Sequence, residues 1–100
     1  MRVIDHEPQW WFLLEENGLL FLDANCNHSF VGYDFLLELN AKERGAYKHE
    51  GREFINRLAT EIQDSAPIVR GSTSRFKARD LSRTYLDKVA KAVENWRASS

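Results

Sequence analysis

The chain has a single cysteine, only two prolines, and no long run of apolar residues. Each scarcity excludes something. Cys26 alone cannot form an internal disulfide, which suits a reducing compartment. The longest unbroken apolar runs, such as Trp10–Leu14 and Leu19–Leu22, fall far short of the roughly 20 residues of a membrane-spanning helix. The opening residues, MRVIDHEP, lack the apolar core of a signal peptide. A cytoplasmic protein is the expectation from these absences. Net charge is also small, −1 at neutral pH, which argues against a general nucleic-acid binder.

What is present fits a folded chain. One hundred residues, 43% hydrophobic and 29% charged, are enough for one modest core and too few for two. The expectation is one α+β domain over residues 1–100, with a basic connector at 66–80 inside it. Charge is unevenly spread. Residues 1–50 hold four Lys/Arg and nine Asp/Glu, giving −5, and residues 51–100 hold ten and six, giving +4.

Asn17-Gly18 is the clearest local signal. Both residues tolerate the positive φ of a two-residue type I′ turn, and apolar runs flank them. The turn pairs Trp10–Glu16 with Leu19–Asn25, setting Leu14 opposite Phe21, Leu13 opposite Leu22 and Trp11 opposite Ala24. A second reversal falls in Asn25-Cys26-Asn27-His28, and Phe30–Leu39 makes a third, longer strand. Period-two alternation then sorts the side chains into two faces. One face collects Trp11, Leu13, Leu20, Leu22, Ala24, Val31, Tyr33, Phe35, Leu37 and Leu39 and reads as core. The other carries Trp10, Phe12, Leu14, Leu19, Phe21, Phe30 and Leu36, diluted by Glu16, Asp23, Asp34 and Glu38.

Two helices follow. Asn40-Ala41-Lys42-Glu43 matches a capping box. Tyr47, Gly51, Phe54, Leu58 and Ile62 then recur at helical spacing until Pro67. Gly51 sits on that stripe, where a missing side chain would allow close packing on the sheet. The second helix runs from Leu81 to Trp96 with Asp80 as N-cap, and Leu81, Tyr85, Val89, Val93 and Trp96 inward. The expected fold is therefore α+β: a two-layer sandwich with a three-stranded antiparallel meander and two helices on one face. Ile68-Val69 is a candidate for a short edge strand near 67–70.

Three features invite a chemical reading. Cys26 and His28 resemble a nucleophile and base, or a pair of metal ligands, but no third group or oxyanion site accompanies them. A polar turn is the plainer account. The connector offers Arg70, Ser72, Arg75, Lys77 and Arg79 ahead of a helix N-terminus, a set suited to a phosphate or a nucleic-acid backbone. Its spacing matches no P-loop, and Asp80 already places a carboxylate at that helix end. The outer sheet face clusters Trp10, Phe12, Leu14 and Phe21 into a contiguous apolar patch that two helices on one face would leave bare.

The reading that follows is a protein-interaction module, a homodimer or partner binder, associating through Trp10, Phe12, Leu14 and Phe21. The alternative is an anion or nucleic-acid binder using the basic 70–83 segment. No cofactor, metal, membrane contact or catalytic residue is expected, and no enzyme activity is assigned.

Overall fold

The Asn17-Gly18 turn forms with both residues at positive φ, 54° and 79°. It joins β2 (Trp11–Glu16) to β3 (Leu19–His28). Leu14 lies opposite Phe21, Leu13 opposite Leu22 and Trp11 opposite Ala24, in the expected register. These elements are seen in a computed structural model that describes residues 1–99. β3 continues through the Asn-rich stretch instead of turning there. The reversal comes at Ser29, φ 56°, and leads into β4 (Val31–Glu38).

A fourth strand, β1 (Arg2–Glu7), precedes these three, and the antiparallel order is β1-β2-β3-β4. It was not expected because its pattern is broken. A bulge between Val3 and Asp5 interrupts the pairing with β2, so the two-residue alternation does not run through the strand. Pro8-Gln9-Trp10 then forms the turn, with Gln9 at φ 62°. Trp10 thus belongs to the turn and not to β2.

The fold class is α+β, as read. The first helical stretch is divided into α1 (Ala41–Glu50) and α2 (Arg52–Ser65). The capping box is present: Glu43 N–H donates to Asn40 Oδ1 at 2.8 Å, and Asn40 N–H donates to Glu43 Oε1 at 2.9 Å. Gly51 makes the division. Its φ of 67° and ψ of −140° suit glycine alone, and a Cβ there would meet nothing within 4 Å. Its role is conformational, and the close packing expected of it does not occur. α2 buries Ile55, Leu58, Ala59 and Ile62 against Trp11, Leu13, Leu22, Leu37 and Leu39 on the expected core face.

The C-terminal segment completes the structure differently. The expected helix at Leu81 begins instead at Leu86, as α3 (Leu86–Ser99). Asp80 caps no α-helix; its Oδ1 accepts from the Ser82 N–H at 2.9 Å and turns the chain. Tyr85, Val89 and Ala92 then pack with Leu14, Phe21 and Leu36, the opposite sheet face from that covered by α2. Burial explains this placement. The pair α1–α2 already covers the first face, and the apolar residues of the second gain roughly 25 cal/mol per Å² when α3 removes them from water.

The connector does not form the candidate edge strand near 67–70. Ala66 enters the left-handed region at φ 45° and ends α2. Two successive turns follow, with Val69 N–H donating to Ala66 O at 3.1 Å and Ser72 N–H to Val69 O at 3.0 Å. The connector then drops Phe76 into the first core, where it is 1% exposed, before a 3-10 turn over Lys77–Arg79.

Candidate functional site

The basic connector is occupied internally. Arg75 is ion-paired with Glu61. Lys77 Nζ donates to the Val69 carbonyl at 3.0 Å. Arg79 holds Glu43 at 2.6 Å, half-buried on both sides. Ser72 Oγ donates to the Ser65 carbonyl at 3.3 Å and accepts from Ser74 N–H at 3.0 Å. Arg70 is exposed, apart from these contacts. The sequence brings the cations together, and folding distributes them among local partners. An anion seated there would have to displace Arg75, Lys77 and Arg79 from the contacts they already make.

Cys26 and His28 are separated by their environments. Cys26 is buried in the first core, its Sγ 3.7 Å from the Ala24 carbonyl, and His28 is exposed at the end of β3. Burial pushes the Cys26 thiol up to about 11, the opposite of what a nucleophile needs. No group of three or more metal-ligating side chains assembles among the described residues.

The outer-face residues are covered from within the chain. Leu14 and Phe21 are 0% and 2% exposed. The Phe21 and Tyr85 rings meet edge-on with centroids 5.5 Å apart. Phe12 is half-buried against Trp96 at 5.4 Å, which also meets His6 at 4.5 Å. Trp10 is half-buried beside the first core. Association through this patch would require α3 to leave it. The signal for this cover lay in Tyr85, Val89 and Trp96, whose helical spacing is apparent in the sequence while the face they choose is not.

Two surfaces remain that sequence reasoning missed. The first is a cleft of about 950 Å³ between the outer sheet face and α3. Phe12 and Leu36 wall it on the sheet side, and Val89 and Val93 on the helix side. Asp23 and Asp34 enter it from β3 and β4, and Glu94 and Arg97 from α3. Burial, and then the neighbouring Asp34 charge, raise the Asp23 carboxyl from 3.8 to about 7. In the sequence, Asp23 and Asp34 merely diluted an apolar face.

The second is the outer edge of β4. Leu36 uses both backbone groups outward: its N–H donates to Ser82 Oγ at 3.0 Å and its carbonyl accepts from Leu81 N–H at 2.8 Å. By strand alternation, the backbone groups of Asp34 and Gly32 point the same way. Ser82 Oγ reaches the Asp34 carbonyl at 3.4 Å. Beyond that hook, no backbone bond to the outward groups of Gly32 is made by the described residues. Phe30 at the tip of the edge is fully exposed, at 106%, and Val31, expected on the core face, is 57% exposed because it lies at the strand's start, beyond the reach of α2.

Comparison with protein-family models, curated proteins and solved structures finds no match to this chain. Among the described residues, no helix is long and apolar enough to cross a membrane.

Proposed function

We propose that the chain is a protein-interaction module that self-associates, and that its contact surface is the open edge of β4 from Phe30 to Asp34. The observation that carries this reading is the fully exposed Phe30 beside unpaired edge backbone. Native proteins usually cover or charge such an edge, because it templates pairing with another strand. Here the edge is covered at Leu36 by Leu81 and Ser82 and left bare where the apolar tip begins.

A second copy fits this segment. Antiparallel pairing about a two-fold axis at Gly32 sets Phe30 opposite Asp34, Val31 opposite Tyr33, and Gly32 opposite itself. No like charges face each other, and the Val–Tyr pairs are of a type that stabilises cross-strand contacts. The two Gly32 residues would exchange N–H and C=O hydrogen bonds, extending the four-stranded sheet to eight strands.

The test is solution mass by light scattering across a hundredfold concentration range, on the native chain and on Gly32→Pro and Phe30→Asp. Proline removes the outward N–H and is tolerated on sheet edges, and its Cβ, 3.3 Å from Asn27 Oδ1, requires only a small shift of that exposed side chain. The proposal expects a concentration-dependent dimer that both variants abolish while circular dichroism and melting temperature hold. A native chain that stays monomeric, or variants that still dimerise, would overturn it.

A further inference from the structure

We propose that the cleft between the outer sheet face and α3 binds a primary amine carried on an apolar body, its ammonium held by Asp23 and Asp34. The inference rests on the cleft, which shares Asp34 with the proposed β4 contact.

The cleft is a concavity of ligand size, mostly apolar, with a few convergent polar groups. Its charges decide the sign of the ligand. Three carboxyls, Asp23, Asp34 and Glu94, share the cleft with one guanidinium, Arg97. A carboxylate or phosphate ligand would meet net repulsion, and a cation would meet net attraction. The cation should be organic, since the described residues bring together no three metal-ligating side chains. The walls agree: Phe12, Leu36, Val89 and Val93 offer hydrocarbon surface, and a hydrated inorganic ion would gain nothing from it.

Register places the two aspartates well for one ammonium. Asp23 pairs with Leu36 and Asp34 with Asn25, so the carboxyls are diagonal neighbours across β3 and β4. Such neighbours lie about 7–8 Å apart on a sheet face, close enough for an amine nitrogen to hydrogen-bond to both side chains. Asp34 is exposed at the open side and Asp23 is half-buried further in, which suits a ligand that enters at the β4 side.

Protonation gives the proposal a signature. Asp23 holds a proton to about pH 7, driven there by burial and by Asp34. The other titratable groups lining the cleft are Asp34 from β4 and Glu94 and Arg97 from α3; the β2 wall contributes only the uncharged Trp11 and Phe12. An ammonium requires ionised Asp23, so binding expels that proton. Apparent affinity scales with the ionised fraction and should fall about tenfold from pH 8 to pH 6. The amine itself, with a pKa near 10.4, stays protonated throughout that range.

The experiment is isothermal titration calorimetry of the full chain with 4-phenylbutylamine, and with 4-phenylbutanol and 4-phenylbutyrate as its neutral and anionic counterparts. The amine should bind at least about tenfold more tightly than the alcohol, with heats that vary with buffer ionisation near pH 7 as the proton leaves. Asp23→Asn should remove most of that preference and all of the pH dependence while leaving alcohol binding unchanged. Val93→Trp, which fills the apolar end, should weaken amine and alcohol alike. Asp23→Asn leaves the β4 edge untouched and should not change the solution mass, which separates failure of this proposal from failure of the edge-pairing one. Tighter binding of the butyrate, equal binding of amine and alcohol, an affinity flat from pH 6 to 8, or no binding at about 10 mM amine would each overturn it.

Discussion

Arg79 grips Glu43 with both guanidinium nitrogens, Nη1 to Oε2 at 2.9 Å and Nη2 to Oε1 at 2.6 Å. Its Nη2 also donates to the Glu38 carbonyl at 2.7 Å, so one side chain ties the connector to the end of β4 and the start of α1. Burial alone would raise the Glu43 carboxyl, but Arg79 and the Asn40 N–H outweigh it and hold the group below its ordinary value. Arg79→Ala leaves a half-buried carboxylate short of its partner. We expect a loss of about 1–3 kcal/mol at neutral pH, read as a lower midpoint in urea. The sign with pH follows from the depressed pKa. The contribution is complete above the unfolded value of 4.5 and disappears as pH falls through the lower folded value, so the difference between native and variant chains should narrow in acid.

Asp23 has the opposite sign. Its folded carboxyl titrates near 7 against 3.8 unfolded, so the folded state holds a proton that the unfolded state releases. Stability therefore declines as pH rises from about 4 to 7, and the penalty is complete above 7. Asp23→Asn removes it. The variant should be more stable than the native chain at pH 8, by up to about 4 kcal/mol, and the gain should vanish near pH 4. A pH series of thermal melts on both chains checks this.

The cover supplied by α3 is open to a single-residue test. Ala92 is 4% exposed against Leu14, Phe21 and Leu36. Ala92→Glu would bury a charge there, and we expect at least about 3 kcal/mol of destabilisation together with binding of an apolar dye to the uncovered sheet. Glu at the exposed Lys91 is the control and should change stability by less than about 0.5 kcal/mol.

Cys26 should be chemically silent in the folded chain. Its thiol is 0% exposed and raised to about 11, chiefly by burial. Labelling by iodoacetamide at pH 7.5 should be far slower than for a free thiol and should reach the free-thiol rate in denaturant. Mass spectrometry over time resolves the two rates.

Tyr33 carries a buried hydroxyl that lies beside Cys26 and the Ile68 backbone, with no partner at full hydrogen-bonding geometry among the described residues. Tyr33→Phe removes that unsatisfied group and keeps the ring. The variant should match or exceed native stability, by up to about 1 kcal/mol, in the same melts.

The sheet centre was legible because its signals are local. Asn17-Gly18 fixes a two-residue turn, and a two-residue turn fixes register, so Leu14 had to face Phe21. The capping box was legible for the same reason, since Asn40 and Glu43 satisfy each other within one helical turn. β1 was not, because the bulge at Val3/Asp5 erases its period and only pairing with β2 makes it a strand. The division at Gly51 was misread as a packing device, since a positive φ leaves no trace in a sequence that an interior glycine would not also leave.

The candidate sites were less legible, because they depend on which face each helix takes. The stripe of Tyr85, Val89 and Trp96 is the same whether it meets Leu13 or Leu14. Only competition for area decides, and α1–α2 had filled the first face. That one choice buries Leu14 and Phe21 and creates the cleft around Asp23. The basic run misled in the other direction. Clustered cations in sequence suggested a shared ligand, and folding gave Arg75 and Arg79 separate acidic partners.

The hook that Leu81 and Ser82 throw over the β4 edge has a consequence for specificity. A bare edge the full length of a strand could accept a neighbour in several offsets, and each would be nearly as good as the next. With Leu36 already taken, a partner sliding toward the C-terminal end of β4 runs into an occupied position after a single two-residue step. Gly32 is the centre about which the two Phe30–Asp34 segments of the proposed dimer match end to end. In the proposed dimer, the loop ahead of α3 would act as a stop on that side and narrow a sticky margin to a contact with a fixed address.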